Sequence, residues 1–165
     1  MNSAYALALC GKLDQAELLA GEWKKTIRPL DTVANKMSYP ILQAQIQLLR
    51  KNYSNAIQML QPVLQYERAA GSGLYAMYVR GQAYLGLGDG KAAAAEFQKI
   101  LDNRGFSPLF VTYPLSHLYL GRALDQQGDR TRARIAYQNF FALWKDADPD
   151  IPILKEAQAE YAKLK

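Results

Sequence analysis

The sequence predicts an all-α fold of stacked antiparallel helix pairs, closed by a capping helix at its C-terminal end. Half of the 165 residues are apolar, and alanine, leucine and tyrosine outweigh valine and isoleucine, a balance that favours helices over strands. One pattern of small residue, large residue, turn, alanine and large residue recurs along the chain. The last segment, Ile151 to Leu164, follows Asp148-Pro149-Asp150, a strong helix-start signal. Its Lys155, Glu156 and Lys163 suit a polar lid over the final apolar face.

The clearest copy of the pattern is Gly81, Tyr84, Gly88-Asp89, Ala93, Phe97, followed by Gly121, Leu124, Gly128-Asp129, Ala133, Tyr137. Looser copies are Ala44, Gln47, Asn52, Ala56, Leu60 and Ala4, Leu7, Gly11, Ala16, Ala20. The anchoring alanines, Ala16, Ala56, Ala93 and Ala133, are spaced by 40, 37 and 40 residues, which makes four units. Each unit reads as a helix hairpin. Gly81 and Gly121 let the second helix approach closely, and Tyr84 and Leu124, three residues on, share their face. Gly88 and Gly128 suit the left-handed residue that ends a helix, and Asp89 and Asp129 cap the next one. Such a pair cannot bury its apolar stripe alone, so successive pairs must stack. The units fall at about 1–28, 37–70, 74–107 and 114–147, with the capping helix at 150–164. Helices are expected near 3–10, 13–26, 37–51, 54–67, 74–87, 90–103, 115–127, 130–145 and 150–164. Pro40 marks a start or kink, and Arg28 to Lys36 is a candidate short helix. Loops are expected at 69–73 and 103–108.

These residues resemble the tetratricopeptide repeat, with small residues at its eighth and twentieth positions and aromatics at its eleventh and twenty-fourth. Met77 and His117 stand where that family has Trp, and its terminal Pro is missing. The resemblance implies a right-handed α-solenoid. The strings Tyr78-Val79-Arg80-Gly81-Gln82-Ala83-Tyr84-Leu85, Ala95-Glu96-Phe97-Gln98-Lys99-Ile100-Leu101 and Phe141 through Asp150 are similar to the C-terminal repeat region of bacterial eukaryotic-like serine/threonine protein kinases. The stretch Ile153-Leu154-Lys155-Glu156-Ala157 through Tyr161 matches that region too. Related regions follow winged-helix DNA-binding domains. The chain opens inside a repeat, so this resemblance implies the distal part of a longer signalling protein whose kinase domain lies elsewhere.

No catalytic constellation emerges. Gly86-Leu87-Gly88-Asp89-Gly90-Lys91 looks like a phosphate loop, but Leu85 and Ala92 occupy positions that need Gly and Ser or Thr, and an interhelical turn explains it better. His-Arg-Asp and Asp-Phe-Gly are absent. Asp146, Asp148 and Asp150 alternate as in a calcium loop, yet Ile151 and Ala157 replace its Gly and Glu, and helix capping accounts for the acids. His117, the single histidine, makes neither a zinc site nor a convincing base. Cys10, the single cysteine, sits in an Ala/Leu run and reads as a buried, inert thiol. The reading is therefore of a chain without an enzyme centre, metal or cofactor.

The charge of +5 is spread along both halves, and Arg130, Arg132 and Arg134 fan around a helix instead of forming a stripe. Nucleic acid is not an expected partner. No window approaches the ~20 apolar residues of a membrane span, and Met1-Asn2-Ser3 begins no signal peptide, so a cytoplasmic location is expected. The expected partner is a protein or peptide. The alternatives are the repeat region of a winged-helix transcriptional regulator, or an oligomerisation spacer with homo-oligomers as its consequence. In the repeat family the first-helix face lines a concave groove. Carried over position by position, that groove presents Tyr5, Ser38, Ile41, Gln45, Tyr75, Tyr78, Gln82, Leu118, Arg122 and Asp125. Its aromatic and amide content suits an extended or helical peptide. The basic clamp with which some members grip a C-terminal carboxylate is missing, since Ile41, Gln45, Val79, Leu115 and Tyr119 stand at its positions.

Overall fold

The computed structural model describes residues 1–67, 73–106 and 111–164. Among these lie nine α-helices and no strand: α1 (Asn2–Leu9), α2 (Leu13–Thr26), α3 (Tyr39–Leu49), α4 (Tyr53–Leu60), α5 (Gly73–Gly86), α6 (Gly90–Asp102), α7 (Thr112–Gln126), α8 (Arg130–Leu143) and α9 (Pro152–Lys163). Each helix packs on the next from α1 to α9. The odd-numbered helices also lie against one another, α1 on α3, α3 on α5 and α5 on α7, so they form a layer of their own.

One turn, made four times, folds each even helix back on its odd partner. Gly11, Lys51, Gly88 and Gly128 all have positive φ, at 77°, 62°, 81° and 79°. Their N–H groups donate to the carbonyls of Ala8, Leu48, Leu85 and Asp125 at 2.8–3.0 Å. The next residues, Lys12, Asn52, Asp89 and Asp129, donate to Leu7, Gln47, Tyr84 and Leu124 at 2.9–3.0 Å. This paired closure satisfies carbonyls that the helix end leaves open. Asp89 and Asp129 also accept the backbone N–H of Ala92 and Arg132 at 2.9 and 3.0 Å, capping α6 and α8. The turn at Gly86–Lys91 is thus a helix connection, with Gly90 lodged against α7: a Cβ there would lie 2.6 Å from the Ala123 carbonyl oxygen.

Prolines account for two departures from the expected helices. A π-helical turn at Ala34–Ser38 runs into α3, and Asp31 starts it by accepting the Ala34 N–H at 2.9 Å. Pro40 has no N–H for the carbonyl four residues back, and the wider turn before it relieves that mismatch. The helix expected over 54–67 is α at Tyr53–Leu60 and 3₁₀ at Gln61–Tyr66. Pro62 cannot donate to Gln58, whose carbonyl takes the Gln61 N–H instead. A second 3₁₀ turn, Arg104–Phe106, occupies part of the expected loop at 103–108; residues 107–108 and 69–72 of the expected loops lie outside the described residues.

The core follows the repeat. Ala4, Ala44, Gly81 and Gly121 are buried on the odd helices, and Ala16, Ala56, Ala93 and Ala133 are fully buried on the even ones. A Cβ on Gly81 would sit 2.7 Å from Cζ of Phe97, and one on Gly121 would sit 2.7 Å from Cδ2 of Tyr137. At the C-terminal end, Leu154, Ala157 and Leu164 bury themselves against Leu118, Tyr137 and Phe140, so α9 covers the last pair. Cys10, expected to be buried, is exposed: it ends α1 at the turn toward α2.

Between the second and third pairs lies a buried charge cluster. Arg80 of α5 is 2% exposed and meets Glu96 of α6 and Glu67 beyond the 3₁₀ turn, each at 2.5 Å. Lys99 braces Glu96 at 2.8 Å. Burial works against the guanidinium charge, but the hydrogen bond and charge of Glu96, reinforced by Glu67, outweigh it.

Two stability predictions follow from the backbone. Gly81→Ala gains about 1 kcal/mol of helix propensity but overpacks Phe97 by roughly 1–3 kcal/mol, so it should lower the urea midpoint. Gly21→Ala, in α2 with nothing within 4 Å of its Cβ, should raise it by up to about 1 kcal/mol. Two variants that shift the midpoint alike would refute the close crossing. Lys51→Gly should add roughly 0.5–1 kcal/mol by removing a left-handed non-glycine residue. An unchanged or lower midpoint would show that Lys51 is not strained.

Candidate interaction surface

The odd helices α1 to α7 are poor in charge, unlike α2, α6 and α8 of the even layer. α1 and α3 carry no charged side chain, α5 carries only Arg80, and α7 carries only Arg122 and Asp125 besides His117. Seven of the eleven tyrosines lie on these four helices, so the layer presents rings and amides.

The rings form a chain from helix to helix. Tyr5 meets Tyr75 edge-on at 5.9 Å, Tyr75 lies 6.0 Å from Tyr78, and Tyr78 meets Tyr119 edge-on at 5.4 Å. Arg122 sits 5.0 Å over the Tyr119 ring. Tyr5 and Tyr75 belong to α1 and α5, so they meet across the intervening α3. There the Tyr75 hydroxyl donates to Oε1 of Gln45 at 3.0 Å. Burial raises the phenols of Tyr5 and Tyr78 well above the ordinary value and pushes that of Tyr75, with help from Tyr119, up to about 12. All three stay neutral at physiological pH, as hydrogen-bonding groups and not as bases.

Of the ten residues carried over as groove positions, the structure leaves six at least partly accessible: Tyr5, Ser38, Tyr75, Gln82, Arg122 and Asp125. Four do not line an open surface. Ile41, Tyr78 and Leu118 occupy equivalent places in successive units and are 1%, 7% and 0% exposed, because that register faces the neighbouring odd helix. Tyr78 packs against Phe97 and Tyr119 at 6.2 and 5.4 Å and belongs to the core. Gln45 is 4% exposed beneath the Tyr5–Tyr75 contact. The N-terminal part of the face is therefore filled by the chain's own tyrosines. Its open part runs from Gln82 to Arg122 and Asp125.

The capping helix completes that end. Arg122 donates from Nε to Glu160 at 2.9 Å and lies 3.4 Å from Glu156. Glu160 also accepts the Tyr137 hydroxyl at 2.8 Å. Burial opposes the Arg122 charge, and the hydrogen bond and charge of Glu160 outweigh that effect. Sequence reasoning missed Glu156 and Glu160 as members of this face, and placed Tyr119 at a clamp position without counting it among the ten groove residues. For Tyr119 the signal was its place directly after Leu118. For the glutamates it was a spacing of four on α9, which puts both on one helical side.

Other features are structural. His117 packs edge-on against Tyr113 at 5.4 Å, and burial, then Arg104, lowers its pKa. Asp148 accepts the Asp150 N–H at 2.8 Å and Lys155 pairs with Asp150 at 2.7 Å, which ties the aspartates to the start of α9. No group of His, Cys, Asp and Glu suited to a metal occurs among the described residues. No helix there is long and apolar enough to cross a membrane. A cleft of about 580 Å³ opens on the other side, between α6 and α8 over α7. Part of its polar lining is already engaged: Gln98 donates to Asp102 at 2.8 Å, and Arg132 pairs with Asp129 at 2.5 Å, whereas the buried Nδ1 of His117 has no partner among the described residues. No family model matches the chain, and neither a curated protein nor a solved structure shows significant similarity to it.

If Tyr78 is core, Tyr78→Ala should cost about 3–5 kcal/mol, like Phe97→Ala. Gln82→Ala should stay within about 0.5 kcal/mol of the parent. Paired chemical-denaturation curves decide it. A Tyr78→Ala protein as stable as Gln82→Ala would return that ring to the surface.

Proposed function

We propose that this chain is a protein–protein interaction module: a tetratricopeptide-type, right-handed α-solenoid that receives a peptide or a partner's segment on its odd-helix face. The observation that carries the reading is the separation of chemistries between layers. The odd layer offers tyrosine rings and an accessible amide at Gln82 with almost no charge, whereas α2, α6 and α8 carry many of the solvating charges. Partly buried aromatic and amide groups beside an arginine are the composition from which binding hot spots are drawn. The fourfold turn and the small-residue crossings support the repeat assignment. The resemblance of Tyr78–Leu85, Ala95–Leu101 and Phe141–Asp150 to the repeat region of bacterial serine/threonine kinases supports a place in a larger signalling protein.

Affinity capture with two surface variants tests the face. Gln82→Arg should weaken partner retention by roughly 1–2 kcal/mol, while Ile135→Arg, on the exposed side of the opposite cleft, should not. The reverse result would move the binding surface to the α6–α8 cleft. Concentration-dependent light scattering separates this reading from a spacer: self-association abolished by Gln82→Arg, with no other partner captured, would favour the spacer.

A further inference from the structure

The charges on the open part of the odd-helix face are not balanced. Arg122 is the one cation among α1, α3 and the accessible residues of α5 and α7, and it is engaged by Glu160 at 2.9 Å and Glu156 at 3.4 Å. Asp125 lies three residues from Arg122 on the same side of α7, is exposed, and has no ion-pair partner among the described residues. Two carboxylates thus engage one guanidinium, and a third, Asp125, stands on the same side of α7. Glu156 is 64% exposed on its side chain and Glu160 35%, so both are reachable from solvent. Toward α5 the face turns uncharged, through the Tyr119 ring to Gln82.

A ligand lying along this face meets amides and rings first, then a net negative end. An acidic or phosphorylated segment would be repelled there, because the arginine that would attract it is already neutralised. We infer that the partner segment is an uncharged, apolar or aromatic stretch ending in lysine or arginine, with its basic end at Asp125 and Glu156 and its uncharged stretch over Tyr119 and Gln82. This rests on the reading of the odd-helix face as the binding surface, and it adds which chemistry that surface selects.

The test is selection of a phage-displayed random dodecapeptide library on the whole chain, followed by fluorescence anisotropy on synthetic versions of the enriched peptides. The enriched peptides should carry adjacent Lys or Arg at one end of an uncharged stretch. The double variant Asp125→Asn, Glu156→Gln changes two exposed side chains and leaves the Arg122–Glu160 pair intact. It should bind those peptides about three- to tenfold more weakly, the scale of two solvated ion pairs. The loss should shrink as salt rises. Peptides that bind, are displaced by Gln82→Arg, and yet show no basic excess or no loss with the double variant would overturn the charge selection and leave the binding face standing. Peptides that ignore Gln82→Arg, or a library that yields none, would overturn both.

Discussion

Every helix pair in this chain depends on how closely its two backbones approach where they cross. On the odd helix the residue at the crossing is Ala4, Ala44, Gly81 or Gly121; its counterpart on the even helix is Ala20, Leu60, Phe97 or Tyr137. The two series change in opposite directions, so the smallest residue faces the largest ring. In the third and fourth pairs even a methyl group would intrude, at 2.7 Å from the ring. The left-handed turn lies seven residues after the small residue and nine before the large one in all four pairs. One residue added on either side would rotate the following face by about 100° and separate the partners. The turn geometry and the side-chain sizes are thus one constraint expressed twice.

The same crossing shapes the candidate face. Because α6 comes close to α5, Phe97 reaches past Gly81 to stack on Tyr119 of α7 at 5.4 Å, and Tyr78 packs into the angle between them. Aromatic packing between units takes up rings that a sequence reading assigns to a ligand. The Arg80 cluster sits nearby on α5. A buried ion cluster is weak evidence for stability, since desolvation consumes most of the attraction, but removing one partner leaves an uncompensated buried charge. Glu67, Arg80 and Glu96 join three segments from two pairs, so the cluster favours one arrangement of the second pair against the third.

The helices and their pairing were legible in the sequence because turn chemistry and residue size are local signals. Gly11, Gly88 and Gly128 announce their turns; Lys51 hides the fourth, although the surrounding spacing reveals it. What the sequence did not reveal was the depth of each residue on a shared face. Ile41, Tyr78 and Leu118 and the column of Tyr5, Gln45, Gln82 and Arg122 are adjacent stripes of the same helices, and only the inter-helix angle decides which is core. Tyr5 closing over Gln45 depends on contact between rings 70 residues apart, which no local pattern encodes. The glutamates of α9 failed for a related reason: a charged helix reads as solvated until the cation it faces is known. Cys10 shows the opposite error: its neighbours in sequence are apolar, but its place at the end of α1 leaves it exposed.

The low charge of the odd helices α1 to α7 has an energetic logic. A buried or half-buried charge needs a partner, and only a few sites in the odd layer have one: Arg80 has its glutamates and Arg122 has α9. Tyrosines and glutamines satisfy their polar ends with each other, as Tyr75 does with Gln45, and keep apolar area available beside them. From Tyr5 to Tyr78 those rings and the Gln45 amide are taken up by the stack itself, packing on one another between units. Only Gln82, Arg122 and Asp125 stay open beside them. Within that face the one cation is already engaged by α9, so on the proposed peptide-binding reading selectivity falls to the carboxylates beside it.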